Sequence, residues 1–164
     1  MTEQTNKSPL PHGVDAANFQ QAVTKFRKLL GDENVLVQDD QLIPYNKIMM
    51  AVEDAQHTPS AALTATTVEQ VQGVVKIYNE HKIPLWPIST GRNFGYGSAA
   101  PGQRGQVILD LKKMNKIIEV DPDLCYALVE PGVTYQQLYD YLQEHNYPLM
   151  LSFSAPSAIA GPLG

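Results

Sequence analysis

The chain reads Ser89-Thr90-Gly91-Arg92-Asn93-Phe94-Gly95-Tyr96-Gly97-Ser98-Ala99-Ala100-Pro101 directly after an apolar run, Ile83–Ile88. Closely spaced glycines let a backbone turn sharply and approach a ligand, and successive N–H groups in such a turn form a concave anion site. Arg92 adds a planar, permanently charged group that suits phosphate. From the residues alone, the stretch is either a phosphate or cofactor loop or an ordinary glycine-rich surface loop.

The segments before this loop predict a strand, a helix and a second strand. Ala62–Ala65 suits the first strand and Leu85–Ile88 the second. Thr67 begins the helix between them, Gln70 completes a capping box, and the helix is predicted to end near His81. Its buried face is predicted from one apolar stripe: Val68, Val71, Val74, Val75 and Tyr78. Such a unit brings the loop to the carboxyl end of a strand, where ligand sites of α/β sheets collect.

The first sixty residues predict an arm, a helix and an irregular lead-in. Residues 1–13 are expected to form a flexible arm, and residues 14–60 the helix and the lead-in. Asp15 caps the helix over about Ala16–Leu30, and Gly31 stops it. Within the lead-in, the sequence predicts one short strand and then irregular chain.

Three further strands and a capped helix are predicted after the loop. The strands cover about 106–110, 116–120 and 125–130, and the turn between the last two makes them a hairpin. Thr134 and Gln137 form the capping box of the last helix. The elements predicted along the chain are thus short strands and three helices.

Composition and charge restrict the class of protein. The chain has 164 residues, of which 43% are hydrophobic, and this is enough for one domain with a core. The net charge of −5 argues against a nucleic-acid partner and against an anionic membrane surface. Cys125 is the single cysteine, so no intrachain disulfide forms, and we expect its thiol to be buried.

Both ends of the sequence carry expectations. Met1–Pro11 is polar and lacks the pattern of a signal peptide, which leaves the cytoplasm and the periplasm of a bacterium open as compartments. Ala158–Gly164 is small and apolar, unlike a frayed terminus. We therefore expect the sequence to be part of a larger protein.

Other motifs are weak by themselves. The four histidines show no metal-ligand spacing, and neither a Walker loop nor a nucleophile elbow occurs. Glu130-Pro131-Gly132 predicts a strand end and a helix start. Ser152–Pro162 predicts a linker, the alternative being a segment whose backbone approaches a ligand.

Taken together, three motifs resemble those of the p-cresol methylhydroxylase and vanillyl-alcohol oxidase family of flavoproteins. Pro87–Pro101 resembles the FAD loop of that family. Val129–Val133 resembles its second FAD signature, and Ser154–Gly164 a third segment that contacts the cofactor. The likeness extends from about Phe19 to the last residue.

The resemblance implies an α+β fold and a set of cofactor contacts. The fold would be a PCMH-type (vanillyl-alcohol oxidase-like) FAD-binding domain over residues 61–164, incomplete at its C-terminal end, with a small mixed sheet flanked by helices. Tyr96 corresponds to the tyrosine that hydrogen-bonds the phenolate oxygen of the substrate. The residues implied to contact FAD are Ser89, Thr90, Gly91, Arg92, Asn93, Gly95, Glu130, Pro131, Gly132, Pro156, Gly161 and Gly164.

The resemblance also implies a reaction and partners. A 4-alkylphenol such as 4-cresol would bind as its phenolate, the benzylic carbon would give a hydride to flavin N5, and water would add to the quinone methide. Electrons would pass to a c-type cytochrome subunit in the dehydrogenase branch, or to oxygen in the vanillyl-alcohol and eugenol-type oxidase branch. The flavoprotein subunits would form a homodimer.

Two other interpretations are weighed against this one. The first is an FAD oxidoreductase of the same fold that acts on a hydroxy acid or a sugar, and the motif around Tyr96 argues against it. The second is a non-catalytic binding module, and the apolar terminus argues against it. The family's second phenolate tyrosine, its substrate arginine and its covalent flavin attachment have no counterpart in this sequence. The chain by itself is therefore expected to be inactive.

Overall fold

The computed structural model describes residues 8–48, 51, 53–92, 99–152 and 157–163. The helices and strands are, in chain order, α1 (Ala16–Leu30), β1 (Val35–Leu36), α2 (Asp39–Leu42), β2 (Ala61–Thr64), α3 (Val68–His81), β3 (Leu85–Ile88), β4 (Val107–Asp110), β5 (Ile117–Asp121), β6 (Tyr126–Val129) and α4 (Tyr135–Glu144). Short 3-10 turns lie at Asp32–Asn34, Ile43–Tyr45 and Asp54–His57. The mixture of helices and two small sheets confirms the α+β class.

The larger sheet has four strands in the order β1-β2-β4-β3. β2 and β3 run parallel to β4, and β1 runs antiparallel to β2, so the sheet is mixed as predicted. Asp110, the last residue of β4, is level with Thr64 on β2 and with Ile88 on β3. The carboxyl ends of three strands therefore meet at one edge of the sheet, and the glycine-rich loop begins at that edge.

Helices α1 and α3 cover one face of this sheet. Asp15 Oδ1 accepts a hydrogen bond from the Asn18 N–H at 2.9 Å, and Gly31 ends α1 with a φ of 88°. Both caps lie where the sequence predicted them. The rings of Phe26 on α1 and Tyr78 on α3 approach to 5.3 Å between centroids. Buried aromatic and branched side chains thus join the two helices to each other and to the sheet.

The lead-in covers the opposite face of the sheet. Leu42 and Tyr45 are buried there against Ala62 of β2 and Ile108 of β4. The predicted strand of the lead-in is only the two residues of β1, and short helical turns replace the irregular chain predicted after it. Residues before position 61 therefore share the core of the sheet, while the proposed domain boundaries after residues 13 and 60 stay predictions.

The buried face of α3 differs from the predicted stripe. Val74 and Tyr78 are buried as predicted, but Val68 and Val75 are 55% and 39% exposed. Residues four apart lie on one side of a helix, and Val75 is turned about 100° away from Val74. Tertiary packing therefore selects a narrower face than the run of valines predicts.

The capping box predicted at the start of α3 is only half formed. Thr67 Oγ1 accepts from the Gln70 N–H at 3.2 Å. The Gln70 Oε1 atom accepts from the N–H and the hydroxyl of Thr66 instead of from the Thr67 N–H. On α4 both halves of the box between Thr134 and Gln137 are present, as predicted.

The second sheet is the β5–β6 hairpin that the sequence predicted. Cys125 lies in its turn with a φ of 56° and is exposed, so the prediction of a buried thiol was wrong. The reason is that the apolar run after Cys125 forms a strand of a two-stranded sheet, and most of its residues are open to solvent.

Matched substitutions on α3 test which face of this helix is buried. We expect Val74→Ala to lower the free energy of unfolding by about 2 kcal/mol, because it removes two fully buried methyl groups. Val75→Ala should change it by less than about 0.5 kcal/mol, since that side chain is open to solvent. Helix propensity favours alanine equally at both positions, so the difference reports burial alone. Urea unfolding of the two variants measures it, and equal losses would contradict this packing.

Candidate cofactor site

A cavity of about 690 Å³ opens at the edge where the three parallel strands end. This is within the size range of pockets that hold small molecules and cofactors. Its walls come from the lead-in, the glycine-rich loop, the turn after β4 and the turn before α4. Among the residues that line it are Tyr45, Thr90, Gly91, Arg92, Lys112 and Gly132.

The glycine-rich loop supplies one wall of the cavity. The Thr90 N–H donates to Ser89 Oγ at 2.5 Å, which fixes the first turn after β3. Gly91 has a φ of 67°, and a Cβ there would lie 2.9 Å from Cβ of Ala99. Only glycine lets the two ends of the loop approach this closely. The predicted contacts Asn93, Gly95 and Tyr96 lie outside the described residues.

The second predicted motif packs against the turn after β4. A Cβ on Gly132 would lie 2.5 Å from the carbonyl oxygen of Lys112, and the Gly132 N–H donates to Met114 O at 2.7 Å. The carboxylate of Glu130 accepts from the Lys116 N–H at 2.8 Å. Gly132 lines the cavity, whereas Glu130 and the half-buried Pro131 serve the turn around it, and their cofactor contacts stay predictions.

The described part of the third motif closes onto the first. The Gly161 N–H donates to Thr90 Oγ1 at 3.1 Å, and a Cβ on Gly161 would lie 3.1 Å from Ser89 Oγ. The N–H groups of Tyr135 and Gln136, at the start of α4, donate to backbone carbonyls of residues 160 and 158. Residues 158, 160 and 161 are therefore bonded to the loop and to α4, although Ile159 and Leu163 are exposed, so over the described residues the preference for a linker was wrong. Pro156 and Gly164 lie outside the described residues.

Three side chains of the cavity were missed by the sequence analysis. The Tyr45 hydroxyl donates to Asp110 Oδ2 at 2.7 Å. The Lys112 ammonium donates to the same oxygen at 2.8 Å and to the Tyr45 hydroxyl at 3.3 Å. The Lys112 N–H donates to Asp110 Oδ1 at 3.0 Å. Asp110 is only 2% exposed, so its buried charge is balanced inside this network.

Burial and charge shift two pKa values in this network. Burial, reinforced by the charge and hydrogen bond of Asp110, raises the pKa of Tyr45 to about 12 despite the opposing effect of Lys112. Burial acts to lower the pKa of Lys112, but the hydrogen bond and charge of Asp110 outweigh it and raise this pKa. Tyr45 therefore stays a neutral phenol and Lys112 a cation at neutral pH.

Charge and backbone geometry test whether a cofactor with a diphosphate fits here. Lys47, Arg92 and Lys112 bring positive charge to the cavity, although the chain as a whole carries a charge of −5. Among the described lining residues, Asp110 is the one acid. Glycines at positions 91 and 132 expose backbone in the walls. Three cations beside a glycine-lined wall suit phosphate oxygens, so the residues fit such a group.

Comparison with known proteins gives the family. A family described as an FAD binding domain matches residues 59–163. The chain therefore belongs to the FAD binding domain family, and its cofactor is FAD.

Relatives and solved structures narrow the likeness. The chain is 76% identical over all 164 residues to the 4-cresol dehydrogenase [hydroxylating] flavoprotein subunit of Pseudomonas putida, of which it covers 31%. A crystal structure of p-cresol methylhydroxylase with substrate bound superposes with a TM-score of 0.91 and 78% identity, over 94% of this chain and 30% of that one. This match confirms the PCMH-type fold. A 4-ethylphenol oxidase from Gulosibacter chungangensis gives a TM-score of 0.87 at 34% identity, over 93% and 29% of the two chains.

These likenesses extend over less than a third of each of the three relatives, so they describe one part of those proteins. Within the described residues, no helix is long and apolar enough to cross a bilayer. In the same part of the chain, no three acidic, histidine or cysteine side chains cluster as a metal site.

The shifted pKa of Tyr45 predicts a stability change at high pH. An unfolded tyrosine loses its proton at about pH 10, whereas folded Tyr45 keeps it up to about pH 12. The contribution of Tyr45 is therefore fully present below pH ~10 and is lost as pH rises from about 10 to about 12. Tyr45→Phe carries no such proton, so its free energy of unfolding should fall less over that window than that of the wild type.

Urea unfolding at about pH 9 and about pH 11 measures this difference. Tyr139→Phe, at an exposed tyrosine, is the matched control and should follow the wild-type profile. Tyr78, whose pKa burial also raises, is present in every variant and so cancels from the comparison. Equal losses in Tyr45→Phe and the wild type would contradict the shift.

Proposed function

We propose that this chain provides the FAD diphosphate site of an oxidoreductase that oxidises 4-alkylphenols. The observation that carries the proposal is the 76% identity, over the whole chain, to a 4-cresol dehydrogenase flavoprotein subunit. The meeting of three predicted FAD segments around one cavity supports it. Two of them, at Thr90 and Gly161, are joined by a hydrogen bond.

The residues of the chain bind and orient in this proposal. Gly91 and Arg92 hold phosphate oxygens through a backbone N–H group and a guanidinium, and Thr90, bonded to Ser89 and Gly161, fixes the loop beside them. Gly132 and Gly161 keep neighbouring backbone close enough to complete the wall. When bound, FAD supplies the two-electron acceptor that side chains do not provide. Tyr96 hydrogen-bonds the phenolate oxygen and so holds the ring with its alkyl carbon ready for oxidation.

The substrate chemistry follows from a phenolate with a para-alkyl group. Electron density from the phenolate oxygen supports departure of a hydride from the benzylic carbon, which leaves a neutral quinone methide. Water then adds its hydroxyl to that carbon and its proton to the ring oxygen, giving a 4-hydroxybenzyl alcohol. A tyrosine beside the oxygen favours binding of the substrate as its phenolate, the form that can lose the hydride, and it stabilises the negative charge that develops on this oxygen as water adds to the quinone methide.

The partners in this proposal are a cytochrome and a second flavoprotein. The Pseudomonas putida relative is a flavoprotein subunit by name, so a further subunit belongs to it. We propose a c-type cytochrome as the electron acceptor and a homodimer of flavoproteins as the assembly. A compartment outside the cytoplasm suits a c-type cytochrome, and the cytoplasm remains the alternative.

Oxygen is the second candidate acceptor. The structural likeness to a 4-ethylphenol oxidase, at 34% identity, supports oxygen as this second acceptor. Anaerobic reduction by 4-cresol, followed by addition of oxygen or of an oxidised c-type cytochrome, separates the two candidates. If oxygen reoxidises the reduced flavin quickly and the cytochrome does not, the protein is an oxidase of this class.

The test of the function uses the protein expressed from its complete reading frame. We expect it to carry FAD and to be reduced by 4-cresol but not by D-lactate or glucose. Tyr96→Phe should lower kcat/KM for 4-cresol by about a hundredfold, the loss typical of one donor to an oxyanion. Tyr139→Phe, at an exposed position on α4, should leave kcat/KM unchanged. A purified product without flavin, or one reduced by D-lactate in preference to 4-cresol, would refute the function.

A further inference from the structure

The ammonium group of Lys112 is held at a fixed point of the cavity wall. It donates to Asp110 Oδ2 at 2.8 Å and to the Tyr45 hydroxyl at 3.3 Å. Its nitrogen lies 5.5 Å from the centroid of the Tyr45 ring, and the Lys112 N–H is bound to the other oxygen of Asp110. A long, flexible side chain is thus restrained by partners at both of its ends.

One donor of this ammonium remains available. An ammonium has three N–H donors, and the contacts to Asp110 and Tyr45 use two of them. Among the described residues, no acceptor is found for the third. The side chain is 52% exposed and lines the cavity beside Thr90 and Arg92. A positive group with a free donor is therefore presented to the same space as the glycine-rich loop.

The neighbouring lysine shows that this arrangement is specific to one position. Lys113 lies on the same turn, but its ammonium bonds to Asn34 Oδ1 at 2.9 Å, and this side chain does not line the cavity. The buried side chains of Asp110 and Tyr45 contact Lys112 and not Lys113. The chain therefore contains its own matched control for any role of Lys112.

We propose that Lys112 is a phosphate-binding residue of the cofactor site, and that Asp110 and Tyr45 are its positioning residues. The inference rests on the proposed binding of FAD. It adds a residue outside the glycine-rich loop, Lys112, to those that bind the diphosphate. The restraint matters because a lysine already held in place loses little side-chain entropy when it binds a phosphate. The raised pKa of Lys112 keeps the group charged throughout the neutral range.

The test compares ligands that differ in charge, on apoprotein expressed from the complete reading frame. ADP carries a diphosphate, and adenosine is the same molecule without it. Lys112→Gln should weaken the binding of ADP and of FAD by about tenfold or more and leave adenosine unchanged. Lys113→Gln should bind all three ligands like the wild type. Lys112→Arg, which keeps the charge, should recover most of the affinity for ADP.

The positioning role is tested through non-additivity. Asp110→Asn should weaken ADP binding while the charge of Lys112 remains, because the ammonium is no longer fixed. The double variant Lys112→Gln with Asp110→Asn leaves no unpaired buried charge, so it tests the ligand role even if Lys112→Gln folds poorly. Its loss of ADP affinity should be close to that of Lys112→Gln alone and not the sum of the two single losses.

The outcomes separate this inference from the proposed function. If the wild type binds neither FAD nor ADP, the proposed function fails and this inference fails with it. If the wild type binds both, and the double variant binds ADP as tightly as the wild type, only this inference is overturned. A double variant with lower thermal stability but unchanged ADP affinity would also overturn this inference, since the network would then only stabilise the fold.

Discussion

The buried carboxylate of Asp110 is the constraint on which this edge of the molecule depends. A charge that is almost completely removed from water must be paired, and this one is paired by a lysine, a phenol and a backbone N–H. The phenol belongs to Tyr45, which is 65 residues away in the chain. The need to satisfy one charge thus ties the lead-in to the end of β4.

The sheet topology explains why this carboxylate lies beside the glycine-rich loop. β4 lies between β2 and β3 and runs parallel to both, so their carboxyl ends meet at the edge that Asp110 occupies. The loop must leave β3 at that edge, and the turn that carries Lys112 must leave β4 there. Gly132 then packs on the carbonyl of Lys112, and Gly161 bonds to Thr90. Four segments thereby surround one cavity.

Local signals were sufficient to predict most of the elements and part of the site. The helix caps at Asp15 and Thr134 depend on residues within three positions of each other, and both were predicted. The glycines at positions 91 and 132 predicted a loop and a turn, but the residues alone left open whether either one contacts a cofactor. The resemblance to a flavoprotein family assigned these motifs to the cofactor site, which composition alone does not do.

Interactions between distant residues were beyond prediction from one sequence. The pairing of Tyr45 with Asp110 has no local signature, because nothing near Tyr45 indicates which carboxylate it meets. The exposure of Val75 depends on how α3 is turned against α1, which a run of valines leaves ambiguous. Burial of Cys125 was predicted from its apolar neighbours. The strand that follows it belongs to a hairpin that the described residues leave largely uncovered. These three differences concern packing partners, whereas the half-formed box at Thr67 and the helical turns of the lead-in are differences of local conformation.

Packing and ligand binding are not competing explanations for the glycines of this site. Gly132 is required by packing, because a side chain would collide with the carbonyl of Lys112 at 2.5 Å. That same close approach holds the Lys112 turn against the start of α4, whose residues Thr134 and Gln137 also line the cavity. The backbone contact therefore builds the wall, and the wall presents the charge. A motif glycine can thus determine the shape of a cofactor site without touching the cofactor.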